Sequence, residues 1–475
     1  MASSEALAEA WREYYRQART QDPRFPSARD FLNQDLAEAL GRMIPADATV
    51  LEVGCGSGDL LAALPNRKRA GVDPMPEAIN EARVRHPDIA FTEGDARSPG
   101  LGQFDAVICD RLCHSVLDVR ELLFGLAERL APGGRIFLTT FNYLWEVPTR
   151  MAERLGWKLP APTSNWFSES DFHNLFEMTD LEVVRYDDRL MMPLDVPGLA
   201  PALNRYLVKL PGWNLLSLYR IYVLRRRGPG LLRPRSATVS VVVPARNEAG
   251  NIAAAAERTP AMGGQTELIY VEGGSSDGTW ARIQEVVAQY QGPLRLSAYQ
   301  QTGKGKGDAV RLGFSRARGD LLMILDADLT VPPEELPVFY DSAVRGLGDY
   351  LQGTRLVYPM EAEAMRFFNK LGNIAFSRLF SHLLSQPIKD TLCGTKVIWR
   401  KDYERLAAGR AYFGDFDPFG DFDLIFGAAR LNLKLCEIPI RYRDRVYGET
   451  NIQRWKHGWL LLKMSAIAAR KLRYV

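Results

Sequence analysis

Hydrophobic residues recur along the first half of the chain as short apolar runs separated by amphipathic stretches. Runs of this length are typical of buried strands, and the stretches between them have helical periodicity. Predicted strands cover five segments: Thr49–Val53, Ala70–Val72, Ile89–Phe91, Ala106–Ile108 and Arg135–Thr139. This alternation predicts a parallel sheet with helices on both faces. Two later runs, Leu181–Val184 and Ile221–Leu224, are expected to be its antiparallel edge strands.

A second α/β pattern follows a stretch rich in arginine, glycine and proline. That stretch, residues 225–236, has the composition of a linker. Apolar runs after it, at Val239–Val243, Glu267–Val271 and Leu321–Leu325, begin a second sheet. The sequence therefore predicts two doubly wound α/β domains, residues 1–224 and 237–450, followed by a basic amphipathic helix over residues 451–475.

Composition narrows the class of protein. The 475 residues are 46% hydrophobic and 25% charged, which is typical of a globular protein with two to four domains. A net charge of +3 is too small to indicate a nucleic-acid partner. Five scattered cysteines favour a reducing compartment over a disulfide framework or structural zinc. Without a signal-peptide core or an apolar run of spanning length, we expect a cytoplasmic location.

A glycine-rich turn follows the first predicted strand, in the order Gly54-Cys-Gly56-Ser-Gly58-Asp59. Glycines at this spacing let the backbone turn sharply and approach a ligand closely. A nicotinamide-binding fold would place its last glycine where Asp59 stands, which counts against that class. Acids also follow the next two strands, at Asp73 and Asp95, and a carboxylate at Asp73 can accept ribose hydroxyls.

These motifs, with Leu130-Ala-Pro-Gly-Gly134 before the fifth strand, resemble class I S-adenosylmethionine-dependent methyltransferases over residues 40–190. The resemblance implies that S-adenosyl-L-methionine is bound by a set of residues around the turn: Glu52, Gly54, Gly56, Gly58, Asp59, Asp73 and Asp95. His114, after the fourth strand, is a candidate general base for a hydroxyl acceptor. Asp110 is expected to orient His114 or to contact the acceptor. The alternative, a structural histidine bonded to backbone, remains open.

The second half carries a different pattern at the end of a hydrophobic strand. Asp326-Ala-Asp328 follows Leu321–Leu325, and the alternation of an extended chain puts both carboxylates on the same side. Such a pair suits Mg²⁺ or Mn²⁺, which also takes diphosphate oxygens and stabilises a departing nucleotide. An Asp-x-Asp motif alone is also common in solvated loops, so its context decides.

That context is a series of polar strand ends: Val243-Pro244-Ala-Arg246-Asn-Glu248, then Glu272 and Asp277, then the basic glycine loop through Lys306. The order resembles inverting GT-A glycosyltransferases of the family that includes dolichyl-phosphate mannose synthase, from Val239 to Thr450. It implies a UDP- or GDP-linked sugar donor held by Pro244, Arg246, Glu248, Glu272, Asp277, Lys306 and Asp326, with the metal on Asp326 and Asp328. The family usually has two acids where Glu272-Gly273 stand, so the nucleotide base stays open.

The same resemblance implies a polyprenyl-phosphate acceptor. Arginines can hold phosphate oxygens bidentately, and the candidates are Arg355, which would also be catalytic, Arg366 and Arg443. A hydroxyl acceptor, as in a glycan, would instead need a base, for which Asp390 and Asp421 are candidates unless they cap a turn or helix.

The basic C-terminal segment bears on location. Lys456, Lys463 and Arg470 recur every seven residues, and no acid lies between residues 451 and 475. This pattern predicts an interfacial helix on anionic lipid at the inner face of the cell membrane. The alternative is a closing helix packed on its own domain.

Two hypotheses follow. In the first, the chain is a bifunctional enzyme that transfers a sugar to polyprenyl phosphate and methylates a related acceptor, such as that sugar. In the second, the glycosyltransferase acts on a soluble glycan, and the first half is an S-adenosylmethionine-binding regulatory or scaffold module.

Overall fold

The chain folds into two compact units, residues 1–230 and 231–473. The computed structural model describes residues 9–14, 16–17, 26–162, 164–192, 196–227, 236–355, 367–412, 421–441, 443, 447 and 462–474. It describes the side chains of these residues apart from 26–30, 367–374 and 421. Each unit is built on a seven-stranded mixed sheet, so the predicted α/β fold class is confirmed for both halves.

The sheet of unit 1 has the order β3-β2-β1-β4-β5-β7-β6. Its strands are β1 Val50–Val53, β2 Arg69–Asp73, β3 Ala90–Glu93, β4 Phe104–Asp110, β5 Leu130–Phe141, β6 Leu181–Arg189 and β7 Tyr219–Arg226. Strands β1 to β5 pair in parallel, and β7 pairs antiparallel with both β5 and β6. The two last strands are therefore antiparallel as predicted, but β7 is internal and only β6 lies at the edge.

Helices cover both faces of this sheet. They include α1 Pro26–Met43, α2 Asp59–Ala63, α3 Pro76–Arg85, α4 Val119–Glu128, α5 Glu146–Arg154, α6 Glu169–Met178 and α7 Leu199–Arg205. Alternate strand residues face opposite sides, so Val50 packs with Leu40 of α1 and Ile79 of α3. Its neighbour Leu51 packs on the other side with Leu123 of α4. The unit is doubly wound.

The sheet of unit 2 has the order β10-β9-β8-β11-β13-β12-β14. Its strands are β8 Val239–Ala245, β9 Thr266–Glu272, β10 Arg295–Gln300, β11 Leu321–Ile324, β12 Tyr350–Thr354, β13 Lys396–Trp399 and β14 Leu435–Pro439. Strands β10, β9, β8 and β11 pair in parallel. Strand β13 pairs antiparallel with β11 and β12, and β14 pairs in parallel with β12.

Helices also lie on both faces of the second sheet. They are α8 Ile252–Arg258, α9 Thr279–Gln289, α10 Lys306–Arg316, α11 Leu336–Val344, α12 Phe367–Leu384, α13 Arg400–Ala408 and α14 Asp421–Arg430. Val241 and Val243 of β8 pack with Phe339 of α11 in the larger core. Val242 points the other way, against Gly313 of α10.

The predicted linker begins later than expected, because strand β7 is longer than its apolar run. Strand β7 continues to Arg226, and the buried Arg225 donates to Glu182 at 2.7 Å, so the predicted linker loses its first two residues. Residues 228–235 of that linker lie outside the described residues.

The described end of the predicted C-terminal helix packs on unit 2. Met464 and Ala468 are buried there, and Arg473 Nη1 donates to Ser385 Oγ at 2.6 Å. Residues 451–461, including Lys456, lie outside the described residues. In the part of the chain that the structure describes, no helix is both long and apolar enough to cross a bilayer.

Candidate active sites

The glycine-rich turn lies at the carboxyl edge of the first sheet, between β1 and α2. Gly54, Gly56 and Gly58 have φ angles of 77°, 52° and 78°, a backbone region that favours glycine. The Asp73 carboxylate, at the end of β2, accepts from Gly56 N and from Met75 N, each at 2.9 Å. A Cβ atom on Gly56 would meet nothing within 4 Å, so the backbone at Gly56 faces open space.

A cleft of about 1340 Å³ opens beside this turn. Its lining includes five of the seven residues predicted to hold the methyl donor: Glu52, Gly54, Gly56, Asp59 and Asp73. Trp11, Arg12 and Asn33, near the N-terminus, line it as well. Sequence patterns could not find these three, because they reach the cleft only through the packing of α1 and the segment before it.

Glu52 is a buried residue of this cleft with an unsatisfied carboxylate oxygen. Its side chain is 3% exposed, and Oε2 has no hydrogen-bond partner. Burial, and then the neighbouring carboxylates Asp110 and Asp73, raise the pKa of Glu52 well above its ordinary value. A buried polar atom without a partner is costly, and a ligand that donates a hydrogen bond would relieve that cost.

Asp59 lines the cleft but already has several protein partners. It accepts from Ser57 Oγ at 2.7 Å and contacts His86 Nε2 at 3.0 Å and Arg85 Nη1 at 3.4 Å. Burial opposes the charged form, but these contacts lower the pKa of Asp59 overall. A ligand would therefore meet a carboxylate that is ionised and already oriented.

The residues that line the cleft do not include Asp95. It is exposed and closes a turn after β3, where Arg97 N donates to Asp95 Oδ1 at 2.8 Å and Ser98 Oγ contacts Asp95 N. The alternative of a capping role, here in a turn, accounts for this residue. Gly58 is also absent from the lining, since it faces the Phe91 ring.

His114 has a structural role, and its prediction as a general base is not supported by the geometry. The ring is buried; Nδ1 lies 2.6 Å from Asn165 O, and Nε2 accepts from Phe141 N at 2.9 Å. Burial lowers the pKa of His114 to about 4, so the ring is neutral at physiological pH. With both ring nitrogens bonded to backbone, the side chain has no position left for an acceptor hydroxyl.

Asp110 and Arg111 form a rigid polar pair at the end of β4, on the wall of the cleft. Arg111 Nε donates to both Asp110 oxygens at 2.9 and 3.0 Å, and Thr139 Oγ1 donates to Asp110 at 2.5 Å. Arg111 Nη2 also reaches Asn33 at 3.1 Å. Its φ of 53° is unusual for a residue with a side chain. Sequence patterns did not indicate Arg111, because nothing in them reports a left-handed backbone.

In unit 2, the loops after β8 and β9 are tied together at one edge of the sheet. Asn247 N donates to Ser275 Oγ at 3.0 Å, and Glu248 N donates to Thr279 Oγ1 at 2.9 Å. The buried Glu248 carboxylate accepts from Asn251 at 2.8 Å. Pro244 lies on β8, Arg246 lies in the loop after it, and Glu272 ends β9. The bonds between the two loops therefore bring these predicted donor-binding residues onto one surface.

Glu272 and Asp277 hold the turn that follows β9. Glu272 accepts from Ser275 N at 2.5 Å and from Gln300 at 3.2 Å, and Asp277 accepts from Thr279 N at 3.0 Å. Burial opposes ionisation of both groups, but these hydrogen bonds lower the pKa of each. Both carboxylates are therefore ionised near neutral pH and held in fixed positions by these hydrogen bonds.

Asp326 forms the centre of a charged cluster at the end of β11. Lys306 Nζ lies 2.6 Å from Asp326 Oδ1. Burial alone would raise the pKa of Asp326, but the cations Lys306, Lys396 and Arg355 lower it. A Cβ atom on Gly394 would overlap the Asp326 carboxylate, so glycine is required there for close approach. The buried Lys396, two residues further, was not predicted from the sequence.

Asp328 turns towards the next loop, where Thr330 N and Thr330 Oγ1 donate to Oδ1 at 3.1 and 2.8 Å. Among the described residues there is no group of three or more histidine, cysteine or acidic side chains placed to share a metal ion. Two carboxylates nevertheless fit Mg²⁺ or Mn²⁺ in a transferase, because diphosphate oxygens and water complete the shell. The chemistry of the donor set is therefore compatible with the predicted ion.

Asp390 and Arg355, which have separate predicted roles, pair with each other in the structure. Arg355 Nε and Nη2 donate to the two Asp390 oxygens at 2.6 and 2.8 Å, and Leu392 N donates to Oδ1 at 3.1 Å. Asp390 is fully buried, and its own N donates to Glu437 Oε1 at 2.9 Å. A buried carboxylate in a bidentate pair is poorly placed to take a proton, and the guanidinium is largely occupied.

Among the other predicted acceptor residues, the structure describes the side chain of Arg443 but not those of Asp421 and Arg366. Arg443 is exposed, and its N donates to Thr330 O at 2.9 Å, which holds it beside the loop of Asp328. Asp421 begins α14, but its side chain lies outside the described residues, as does the whole of Arg366. Of the predicted phosphate-binding arginines, Arg443 is thus the one that the described structure places near the Asp-x-Asp motif with its side chain exposed.

Family models match both halves of the chain. Residues 24–186 match a methyltransferase domain, and residues 240–407 match glycosyl transferase family 2. The chain therefore contains a methyltransferase domain and a family 2 glycosyltransferase domain, and it is an enzyme of two parts.

Curated relatives match a little under half of the chain. An undecaprenyl-phosphate 4-deoxy-4-formamido-L-arabinose transferase of Pseudomonas aeruginosa is 29% identical over 216 residues, covering 45% of this chain and 59% of the relative. A dolichol-phosphate mannosyltransferase of Pyrococcus furiosus is 28% identical over 222 residues, with the same coverage of 45% and 59%. The chain thus spans about three fifths of the length of these relatives.

A solved structure resembles part of the chain weakly. It is a SAM-dependent methyltransferase from Thermotoga maritima, 17% identical with a TM-score of 0.36, and the match covers 46% of this chain and 99% of that one.

Proposed function

We propose that the chain is a bifunctional transferase. Unit 2 transfers a sugar from a UDP- or GDP-linked donor to a polyprenyl phosphate, with inversion at the anomeric carbon. Unit 1 transfers a methyl group from S-adenosylmethionine to a related acceptor, and the transferred sugar is the leading candidate.

One observation carries the sugar-transfer proposal. At or after the carboxyl ends of strands in the parallel part of the second sheet lie four charged residues: Glu272, Asp277, Lys306 and Asp326. Open α/β sheets bind ligands at the carboxyl ends of such strands. In this proposal Glu272 and Asp277 accept hydrogen bonds from the nucleoside, and Lys306 contacts the diphosphate. Asp326 and Asp328 would hold Mg²⁺ or Mn²⁺, which would stabilise charge on the departing nucleotide.

The polyprenyl-phosphate acceptor is supported by two kinds of observation. The printed names of both curated relatives describe transferases that act on a polyprenyl phosphate. In addition, exposed Arg443 lies beside the Asp328 loop, where a cation can hold an acceptor phosphate. A phosphate oxygen is already ionised near neutral pH and needs no general base, which agrees with the pairing of Asp390 to Arg355.

The methyl-transfer half is supported by the cleft of unit 1. Gly56 leaves open backbone beside the cleft, and Asp59 and Asp73 offer ionised or backbone-anchored carboxylates. Buried Glu52 lacks a partner at Oε2 and would accept a donor group of the bound methionine portion. The Asp110–Arg111 pair is fixed on the cleft wall and is the best-placed polar group to orient an acceptor.

Sugar transfer can be tested directly. The purified chain would be given Mn²⁺, undecaprenyl phosphate and a set of radiolabelled UDP- and GDP-sugars, with Asp328→Ala as the comparison. We expect label in the organic-extractable product with the wild type and its loss in the variant. Donor hydrolysis that depends on Asp328, without any organic label, would point to a soluble glycan acceptor instead.

A further inference from the structure

Helix α5 of the methyltransferase domain exposes an apolar face. Leu144, Val147, Met151 and Leu155 follow one another at helical spacing, and their side chains are between 54% and 67% exposed. None of the side chains of α5 is buried. An amphipathic helix normally packs such an apolar stripe against a core, whereas α5 exposes it to solvent. An exposed apolar stripe of this kind is unusual for a surface that binds no partner.

A second exposed apolar segment adjoins this helix. Asn142 Nδ2 donates to Leu215 O at 2.8 Å, and Trp145 Nε1 donates to Ser217 O at 3.1 Å. These bonds place the start of α5 beside Trp213, Leu215 and Leu216, which are 49%, 59% and 48% exposed. We call the combined surface the α5 patch: Leu144, Val147, Met151, Leu155, Trp157, Trp213, Leu215 and Leu216.

The charges around the α5 patch indicate what kind of partner it fits. Arg150 and Lys158 expose 63% and 41% of their side chains, whereas their acidic partners Glu146 and Glu153 expose 20% and 19%. Arg154 is exposed as well. The solvent-exposed charges around the apolar centre are therefore mainly positive. This pattern suits a membrane with anionic headgroups above acyl chains.

The exposed aromatic residues also favour a lipid surface as the partner. Tyr143, Trp157 and Trp213 are each about half exposed, at 49%, 56% and 49%. Tyrosine and tryptophan favour the level of the headgroups in a bilayer, where one part of the ring is apolar and the other is wet. Protein-binding surfaces also use aromatic residues, but a rim made mainly of exposed cations favours lipid.

The α5 patch lies at the functional edge of its domain. It begins directly after β5, which runs parallel to β4 and β1, so it leaves the sheet at the edge that carries the glycine turn. We propose that the α5 patch docks the methyltransferase domain on an anionic membrane surface. A lipid-linked acceptor would then reach the cleft without leaving the bilayer, although the docking itself requires neither proposed activity.

The test compares two exposed double variants of the full chain. Val147→Ser/Met151→Ser changes the α5 patch, and Val84→Ser/Met178→Ser makes the same replacements at sites that are 83% and 64% exposed elsewhere on unit 1. Binding would be measured by co-sedimentation with vesicles of phosphatidylcholine and phosphatidylglycerol. We expect the patch variant to bind about tenfold more weakly, because two apolar side chains no longer enter the lipid. The control should bind like the wild type, and equal binding by both variants would overturn the proposal.

Two further measurements decide between lipid and protein as the partner. Arg150→Gln/Arg154→Gln should weaken binding to the anionic vesicles but not to pure phosphatidylcholine vesicles. Sedimentation velocity would show whether the patch variant changes the oligomeric state. A wild-type dimer that becomes monomeric in the patch variant, with unchanged vesicle binding, would identify the α5 patch as an interface between copies and refute membrane docking. Circular dichroism would confirm that every variant is folded.

Discussion

The ammonium of Lys306 lies 2.6 Å from Oδ1 of Asp326, where a divalent cation would need to bind that carboxylate. The pair joins the first turn of α10 to the end of β11. The lysine therefore neutralises the carboxylate in this structure, and a metal ion bound to Asp326 would have to compete with it for the same oxygen. When a nucleotide diphosphate is present, its oxygens offer the ammonium another partner.

This relationship predicts that removing the ammonium strengthens metal binding to the donor-free protein. We expect Lys306→Met to bind Mn²⁺ about fivefold more tightly than the wild type, since an ion pair of about 1 kcal/mol no longer opposes it. Titration followed by electron paramagnetic resonance measures free Mn²⁺ directly. Lys304→Met, at an exposed neighbouring lysine, is the matched control and should leave the Mn²⁺ affinity unchanged. Weaker Mn²⁺ binding by Lys306→Met would refute the competition.

Close packing of Gly394 against Asp326 predicts a sharp effect of one added methyl group. In Gly394→Ala the Cβ atom would overlap the Asp326 carboxylate and displace it. We expect Mn²⁺ affinity and sugar transfer each to fall by at least about tenfold, because carboxylate placement determines both. Gly409→Ala, where the nearest atom to the new Cβ is 3.5 Å away, should retain both properties. Wild-type Mn²⁺ affinity in Gly394→Ala would contradict the observed geometry.

The buried pair of Asp390 and Arg355 predicts a loss of stability rather than a specific loss of catalysis. Asp390→Asn leaves a buried guanidinium without its bidentate partner, which costs about 3–5 kcal/mol. For a unit of this size, that corresponds to a fall in Tm of roughly 10 °C. Thermal unfolding followed by circular dichroism would measure it, with the exposed Asp341→Asn as control. An unchanged Tm together with abolished sugar transfer would restore Asp390 as a candidate base.

The buried neutral His114 predicts how the stability of unit 1 depends on pH. Its pKa is about 4 when folded, below the ordinary value of 6.5, so the unfolded chain binds the proton first as pH falls. Stability from this group is present above pH 6.5 and is lost as pH decreases towards 4. Between pH 7 and pH 5 we expect the wild type to lose about 2 kcal/mol more unfolding free energy than His114→Gln. Urea unfolding at both pH values measures this, and a parallel decline of the two proteins would contradict it.

Sequence patterns predicted those features that depend on local order along the chain. The strand ends, the glycine turn at Gly54–Gly58 and the Asp326-Ala-Asp328 motif each combine a short apolar run with the residues directly after it, so their positions at the sheet edges follow from topology. The doubly wound architecture follows from the same alternation.

Residues whose partners are distant in the sequence were harder to predict. His114 was left with two roles because its structural partner, Asn165 O, lies 51 positions away. Arg355 and Asp390 were assigned separate roles because their pairing, across 35 positions, is set only by the packing of β12 against the loop before β13. Asp95 was assigned to the cofactor without knowledge of the turn after β3, in which Arg97 N donates to its carboxylate.

The most direct test of the central proposal is a double-label transfer experiment with the intact chain. It would supply tritiated S-adenosylmethionine, a ¹⁴C-labelled sugar nucleotide, Mn²⁺ and undecaprenyl phosphate, and measure both labels in the organic-extractable product. We predict that both labels enter one product, that Asp328→Ala abolishes the sugar label, and that Gly56→Val abolishes the methyl label alone, because its side chain fills the open space beside the glycine turn. Sugar label without any methyl label in the wild type, across all acceptors tried, would contradict the bifunctional account.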